Sequence, residues 1–391
     1  MTPHILHAAG DTAARLPLLL ALRARGFEVS ATGSGDSAPF DAAGVPYRCV
    51  PLHRGLAPFA DFGTLRGLRA ACRALRPDVV HGFETKPAIY APLAAARAGV
   101  PVRVRTVTGL GWTWSVDSAK ARTLRPTVAA LHKRASAASA RTFFQNPEDC
   151  ADFVGLGLVD EARAALVPGS GVDVAALDAA VPGPAPLAAL RAELSPRGAP
   201  IVVFAGRLLV AKGVPVFLQA ARALLQAGVV ARFVLVGPRD GAGAPAVNEA
   251  LLDEYRDQVL VLGPRADLPA LLAASDLFVL PTAYREGLPR TLLEAAALGL
   301  PLVATDAPGC REILRDGWNG LRVPVGDAAA LAKAIAALLA DAPLRALMAE
   351  RSRERVLREF TLDRVADAYA AHYRELLAMA ADGASWAEAD A

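Results

Sequence analysis

Short apolar strands alternate with amphipathic helical segments from the first residues of this chain, and the alternation starts afresh near its middle. Such a pattern points to parallel sheets. A strand covered by helices on both faces is apolar at nearly every position, and each parallel neighbour needs a helical crossover. HILHAA reads as the first strand and Arg15 to Arg25 as its crossover helix; FEVSAT, PDVVHG and VRVRTVT continue the series, punctuated by Gly26, Pro77 and Pro101. RTFFQN reads as the last strand of this half, followed by the helix PEDCADFVGLG. The Pro/Gly-rich stretch from Val167 to Pro186 marks a boundary, and APIVVFAGRL, ARFVLVG, QVLVLG, DLFVLP and PLVATD form a second series beyond it. The expectation is an α/β chain of two facing Rossmann-like domains, residues 1–170 and 187–360, with a cleft between them. A C-terminal helix near 361–380 is expected to pack back on the first domain, and the tail ADGASWAEADA to fray.

A length of 391 residues, 53% of them hydrophobic, exceeds one comfortable core and agrees with two domains. No run reaches the roughly 18 uncharged apolar residues of a spanning helix, and MTPHILHAAGD lacks a basic segment followed by an apolar one, so a cytoplasmic chain is expected. Cys49, Cys72, Cys150 and Cys310 lie far apart and form no CxxC pair; they read as small buried residues rather than zinc ligands or a disulfide framework.

The net charge of +3 conceals an asymmetry. Residues 1–143 hold 19 lysines and arginines against 8 acidic residues. Arg66, Arg69, Arg73 and Arg76 recur at helical spacing, and Lys120, Arg122, Arg125, Lys133 and Arg134 form a second basic group. An anionic lipid surface or a phosphate-bearing substrate suits such a face. A simply solvated arginine face accounts for it equally well. Nucleic acid is disfavoured, since no aromatic-interleaved basic motif accompanies the charge.

Two strings in the second half carry the chemistry. GRLLVAKG sets Arg207 and Lys212 just after an apolar strand, between Gly206 and Gly213, where a guanidinium fork and an ammonium can hold a diphosphate. YREGLPRTLLEAAALGLPLVATD follows the strand DLFVLP. Pro289 suits a first helical turn, and Gly299 with Pro301 ends the helix. Exposed amides of Gly287 and Leu288 at that helix start would then bind phosphate oxygens, and Glu286 and Glu294 would accept hydrogen bonds from sugar and ribose hydroxyls.

Together with DAPGCREIL and DGWNGLRVP, these strings closely resemble the retaining GT-B glycosyltransferases of family 4, and the paired glutamates match the family's E-x7-E motif. The resemblance implies that Glu286 contacts the transferred sugar, Glu294 the ribose, Arg207 and Lys212 the diphosphate, and the loop of Gly263, Pro264 and Arg265 the nucleobase. In the first half, KPAIYAPLAA, TVTGLG, FFQNPEDCADFVGLGL and PGSGVD resemble a branch that glycosylates polyprenyl-diphosphate-linked sugars in bacterial capsule, O-antigen, exopolysaccharide or protein-glycan assembly. That branch implies an acceptor side built from Gly10, Glu84 and Lys86, with His81 at a strand end facing the cleft as a catalytic residue. HAAGDTAA carries one glycine where many relatives have two.

The implied reaction moves a hexose or N-acetylhexosamine, UDP-linked in preference to GDP-mannose, to a hydroxyl of a lipid-linked glycan with retention of configuration. The acceptor attacks from the front face, and no protein nucleophile takes part. The nucleotide sugar is a substrate, so no cofactor is expected. With no DxD motif in a suitable loop, no metal is required; Arg207, Lys212 and the helix end would neutralise the leaving diphosphate. A lipid-linked acceptor and the basic first half suggest peripheral contact with the cytoplasmic face of the inner membrane. Two alternatives remain open: a non-hydrolysing sugar-nucleotide epimerase, and an inactive nucleotide-sugar-binding partner. A dehydrogenase is disfavoured, because no GxGxxG follows the first strand.

Overall fold

The structure, a computed structural model, describes residues 2–53, 57–109, 112–115, 119–239 and 245–383. The tail from residue 384 and Leu110–Gly111 of the TVTGLG string lie outside the described residues. The chain divides into two compact units, Met1–Gly171 with Leu362–Ala391, and Val172–Thr361.

In the first unit, the described residues form a seven-stranded sheet of β1 (His4–Ala9), β2 (Glu28–Gly33), β3 (Tyr47–Cys49), β4 (Val79–Phe83), β5 (Val102–Val107), β6 (Arg141–Phe144) and β7 (Ala164–Leu166). The strand order is β3-β2-β1-β4-β5-β6-β7, and every pairing is parallel. The last strand is β7, not RTFFQN. Three short residues, half-buried or exposed, give it no apolar run to read.

The helix Leu362–Ala381 completes this unit. Val365, Ala366, Tyr369, Ala370, Tyr373 and Leu376 are buried along it at helical spacing and join the cluster containing Leu18, Leu19 and Leu22. Burying each large apolar side chain contributes roughly 1.5–3 kcal/mol.

In the second unit, β8 (Ile201–Ala205), β9 (Arg232–Val236), β10 (Val259–Gly263), β11 (Leu277–Leu280), β12 (Leu302–Thr305) and β13 (Gly320–Val323) make a six-stranded parallel sheet of order β10-β9-β8-β11-β12-β13. β8, β11 and β12 are buried at every position, as helices on both faces require. The Pro/Gly-rich stretch carries helices of its own, Val174–Ala179 and Pro184–Leu194, and from Val172 onward it belongs to this unit. No helix among the described residues is long and apolar enough to cross a membrane.

Of the cysteines, Cys72 and Cys310 are buried, whereas Cys49 is exposed on the edge strand β3 and Cys150 is half-buried.

Candidate active site

Each sheet reverses its winding once, between the first strand of the unit and the fourth. In open α/β sheets ligands bind beyond the carboxyl ends of the strands at that switch point. The second unit switches between β8 and β11, so the loops that follow these strands, 206–213 and 281–289, meet there.

Backbone contacts join them. The carbonyl of Ala211 accepts the amides of Ala283 at 2.8 Å and Tyr284 at 3.0 Å. Gly213 has φ 80°, and a Cβ there would stand 1.8 Å from the Pro281 carbonyl oxygen, so only glycine admits this approach. The junction delivers Lys212 to Glu286: Nζ lies 2.5 Å from Oε2, with the side chains 12% and 17% exposed. The Lys212 ammonium also lies 5.9 Å from the centre of the Tyr284 ring. Burial first, and then Glu286, raises the Tyr284 phenol above its ordinary pKa, while Arg207 acts in the opposite direction. Among the described residues the Arg207 guanidinium makes no hydrogen bond or ion pair. The site thus holds a paired cation and an uncommitted one.

A ladder of close glycine contacts ties the predicted nucleobase loop to the same edge. The Gly237 amide donates to the Gly263 carbonyl at 2.8 Å, and a Cβ on Gly237 would lie 1.8 Å from the Gly206 carbonyl oxygen. Gly263 therefore ends, and Pro264 follows, a strand linked by backbone contacts through Gly237 to the loop of Arg207. Arg265 itself forks onto Asp267, with both contacts at 2.7 Å, and this bond holds the Asp267 carboxyl below its usual range.

The helix after β11 spans Arg290–Ala297, with Pro289 as its cap residue and no side-chain cap. Gly287 is not exposed, contrary to expectation; it is buried and Leu288 half-buried. The cover is Gly309, at φ 86°, where a Cβ would lie 2.4 Å from the Glu286 carbonyl oxygen and 3.0 Å from that of Gly287. Glu294 sits one turn into the helix and accepts Arg290 Nε at 2.8 Å, its own side chain 13% exposed. Sequence reasoning assigned no role to Gly309 or Glu312. The Gly309 amide donates to Glu312 at 2.7 Å, and the glycine-to-glutamate spacing in PGCREIL was the available signal.

The first unit switches between β1 and β4. Glu84 follows β4 with φ 68° and ψ −179°, a region that side-chain-bearing residues occupy at a cost of roughly 1–3 kcal/mol. From there its carboxylate accepts the amides of Gly10 at 3.2 Å and Asp11 at 3.3 Å, and Arg15 Nη2 stands 4.0 Å away. A Cβ on Gly10 would lie 2.6 Å from Glu84 Oε2. Arg15, which no motif singles out, also donates to Ser170 and lies over the Phe83 ring at 4.7 Å. Lys86 is held by Asp61 at 2.5 Å.

His81 is not at a strand end. It is the middle residue of β4 and fully buried, with Nδ1 2.5 Å from the Tyr373 hydroxyl and Nε2 2.7 Å from Thr106 Oγ1. Its ring stacks on Phe83, and burial, followed by His7 and Arg15, holds its pKa well below the ordinary value. Both ring nitrogens are engaged within the core, so His81 positions core groups and does not face a ligand.

Comparison with known proteins bears on both halves. Residues 12–170 match the family model described as glycosyl transferase 4-like domain, and residues 199–341 match the model described as glycosyl transferases group 1. The chain belongs to the family 4 glycosyltransferases. This glycosyltransferase is 28% identical, over 88% of its own length and 90% of the relative's, to the N,N'-diacetylbacillosaminyl-diphospho-undecaprenol alpha-1,3-N-acetylgalactosaminyltransferase of Campylobacter jejuni. It is 26% identical, over 81% of each chain, to a UDP-Gal:alpha-D-GlcNAc-diphosphoundecaprenol alpha-1,3-galactosyltransferase of Escherichia coli. Among solved structures, that of Anabaena HepE in complex with UDP-glucose superposes with a TM-score of 0.77 at 19% identity, covering 95% of this glycosyltransferase and 99% of HepE. The fold is that of the GT-B enzymes.

Proposed function

We propose that this glycosyltransferase moves a hexose or N-acetylhexosamine from a UDP-sugar to a hydroxyl of a polyprenyl-diphosphate-linked glycan, with retention of anomeric configuration, in bacterial surface-polysaccharide assembly. The observation that carries the proposal is the Lys212–Glu286 pair at the second-unit switch point, with the uncommitted Arg207 on the adjoining loop.

A diphosphate entering this site meets Arg207 as a fork and Lys212 as a point charge. As the bond to the anomeric carbon breaks, negative charge grows on the departing phosphate oxygen, and these two cations stabilise it without a metal ion. The same oxygen takes the proton of the attacking acceptor hydroxyl, so no covalent intermediate forms. Glu286 holds the sugar hydroxyls and Glu294 the ribose. Gly287, Leu288 and the start of the helix Arg290–Ala297 border the phosphates, and Gly263 and Pro264 border the base.

On the first unit, Glu84, Gly10 and Lys86 border the acceptor, with the basic face resting peripherally on the cytoplasmic side of an anionic membrane. The C. jejuni and E. coli relatives, whose names specify diphospho-undecaprenol acceptors, support this choice of acceptor. Purified protein incubated with a panel of UDP-sugars and lipid-linked acceptors tests it. Product of retained configuration from at least one pair supports the proposal. Conversion of donor without acceptor, or no product from any pair, refutes it.

A further inference from the structure

Tyr284 lies where the two loops of the second-unit switch point meet, and its place there is fixed twice over. Its amide donates to the Ala211 carbonyl at 3.0 Å and to the Thr282 hydroxyl at 3.0 Å, and that hydroxyl donates in turn to the Ala211 carbonyl at 3.3 Å. Thr282 and Thr305 are fully buried, and Thr305 Oγ1 donates to the Thr282 carbonyl at 2.5 Å. This frame holds the Tyr284 backbone to the turn Val210–Lys212. The Lys212 ammonium then stands 5.9 Å from the centre of the Tyr284 ring, within cation–π range.

Hydrogen-bond donors are in surplus around this ring. Along the loops 206–213 and 281–289 Glu286 is the one acidic residue, and its Oε2 is taken by Lys212 at 2.5 Å. Neither the Arg207 guanidinium nor the Tyr284 hydroxyl has a hydrogen-bond partner among the described residues. The hydroxyl keeps its proton: burial first, and then Glu286, raises the phenol above its ordinary pKa, against the pull of Arg207. A protonated phenol beside two cations is a donor in need of an acceptor. A phosphate supplies charged oxygens that accept only, whereas a sugar hydroxyl adds a further donor of its own.

We infer that the Tyr284 hydroxyl donates a hydrogen bond to the phosphate that carries the sugar, as a third group on the diphosphate alongside Arg207 and Lys212. The inference rests on the nucleotide-sugar site in the function proposed above and adds a residue to it. The choice of phosphate follows from the pair. Glu286 holds the sugar and is bonded to Lys212, so the phosphate that meets Lys212 is the one joined to the sugar, and the Tyr284 ring faces that ammonium. As the bond to the anomeric carbon breaks, the bond from the phenol strengthens with the growing negative charge. It engages a non-bridging oxygen, which leaves the departing oxygen free to take the proton of the acceptor hydroxyl.

The test is titration calorimetry on the full chain. UDP, GDP and dTDP are each titrated into the wild type, and the tightest of them is then compared with its own monophosphate in Tyr284→Phe. That variant keeps the ring on the Lys212 ammonium and removes only the hydroxyl. The diphosphate is expected to bind it about tenfold more weakly, the weight of one hydrogen bond to a charged group. The monophosphate lacks the outer phosphate and should stay within about twofold of its wild-type affinity. Unchanged diphosphate affinity in the variant, or equal weakening of the monophosphate, would overturn the inference. So would a loss seen only with the intact nucleotide sugar, which would put the phenol on the sugar instead. These results leave the transferase reading standing. A wild type that binds none of the three diphosphates would remove the nucleotide-sugar site, and this inference with it.

Discussion

Glu84 reaches the Gly10 amide at 3.2 Å from a backbone conformation ordinarily reserved for glycine. A carboxylate held under strain at a switch point gives stability and activity opposite preferences. Glu84→Gly is expected to leave the unfolding free energy unchanged or raise it by about 1 kcal/mol, because the strain relieved offsets two lost amide contacts. Transfer should meanwhile fall at least about tenfold. Urea unfolding and initial rates on one preparation decide this; a variant both less stable and fully active contradicts it.

Gly10→Ala places a methyl group 2.6 Å from Glu84 Oε2. The carboxylate must swing away. The expected signature is a rise of about tenfold in acceptor KM, with donor KM within about twofold, since the second-unit loops are untouched. Equal changes in both constants would point to general unfolding.

Lys212→Ala and Arg207→Ala should each lower transfer by about a hundredfold or more, with no loss of the fold. They differ in stability. Lys212→Ala leaves Glu286 without its ammonium in a mostly buried setting and should cost about 1–2 kcal/mol, discounted for residual exposure. Arg207→Ala should cost close to nothing. Wild-type activity in both variants would remove the donor-site assignment.

Arg265→Ala should matter little. Its guanidinium is committed to Asp267 and exposed. Donor KM is expected to stay within about threefold, whereas a large loss of uridine-nucleotide affinity in titration calorimetry would show that the fork opens toward the base.

Acid should weaken the first unit. Burial, and then Arg15, pushes His7 down to about 3; burial, and then Arg105, does the same to His132; His81 is also held well below its ordinary value. In the unfolded chain these rings titrate near 6.5, so stability is constant above that pH. It falls as pH drops from about 6.5 toward 3, by up to about 1.4 kcal/mol per unit for each histidine. His7→Phe should flatten the decline measured by urea unfolding between pH 7 and 5. An identical slope in the variant would place the acid sensitivity elsewhere.

Much of this architecture was readable along the chain. HILHAA and DLFVLP are strands because both of their faces meet helices, a condition that leaves a local trace in composition. The short edge strands β3, β7 and β13 leave none, since each spans three or four residues and is only partly covered. His81 was misread because the expected strand PDVVHG ended at Gly82, which put the histidine next to its end, whereas the strand runs from Val79 to Phe83. The glycine is there because a Cβ would lie 2.2 Å from the Pro87 carbonyl oxygen of the next helix. Gly287 was misread for a related reason, as its cover arrives from Gly309 on a different strand end. The strings containing Lys212 and Glu286 were legible, but not their contact. An ion pair between residues so far apart in sequence is fixed by strand order and by the Gly213 approach to Pro281, which no local pattern encodes.

The helix Leu362–Ala381 has a consequence for synthesis. Tyr373 and Tyr369 supply hydroxyl partners to His81 and Thr106 deep in the first unit, yet they leave the ribosome after the whole of the second. At roughly 5–20 residues per second, the half that starts first waits for tens of seconds with its histidine–tyrosine core unsealed, while the other half has all its residues in hand and can close. The amino-terminal unit is therefore the last to finish folding, and a chain that stops at Thr361 would carry a complete second unit on an open first one.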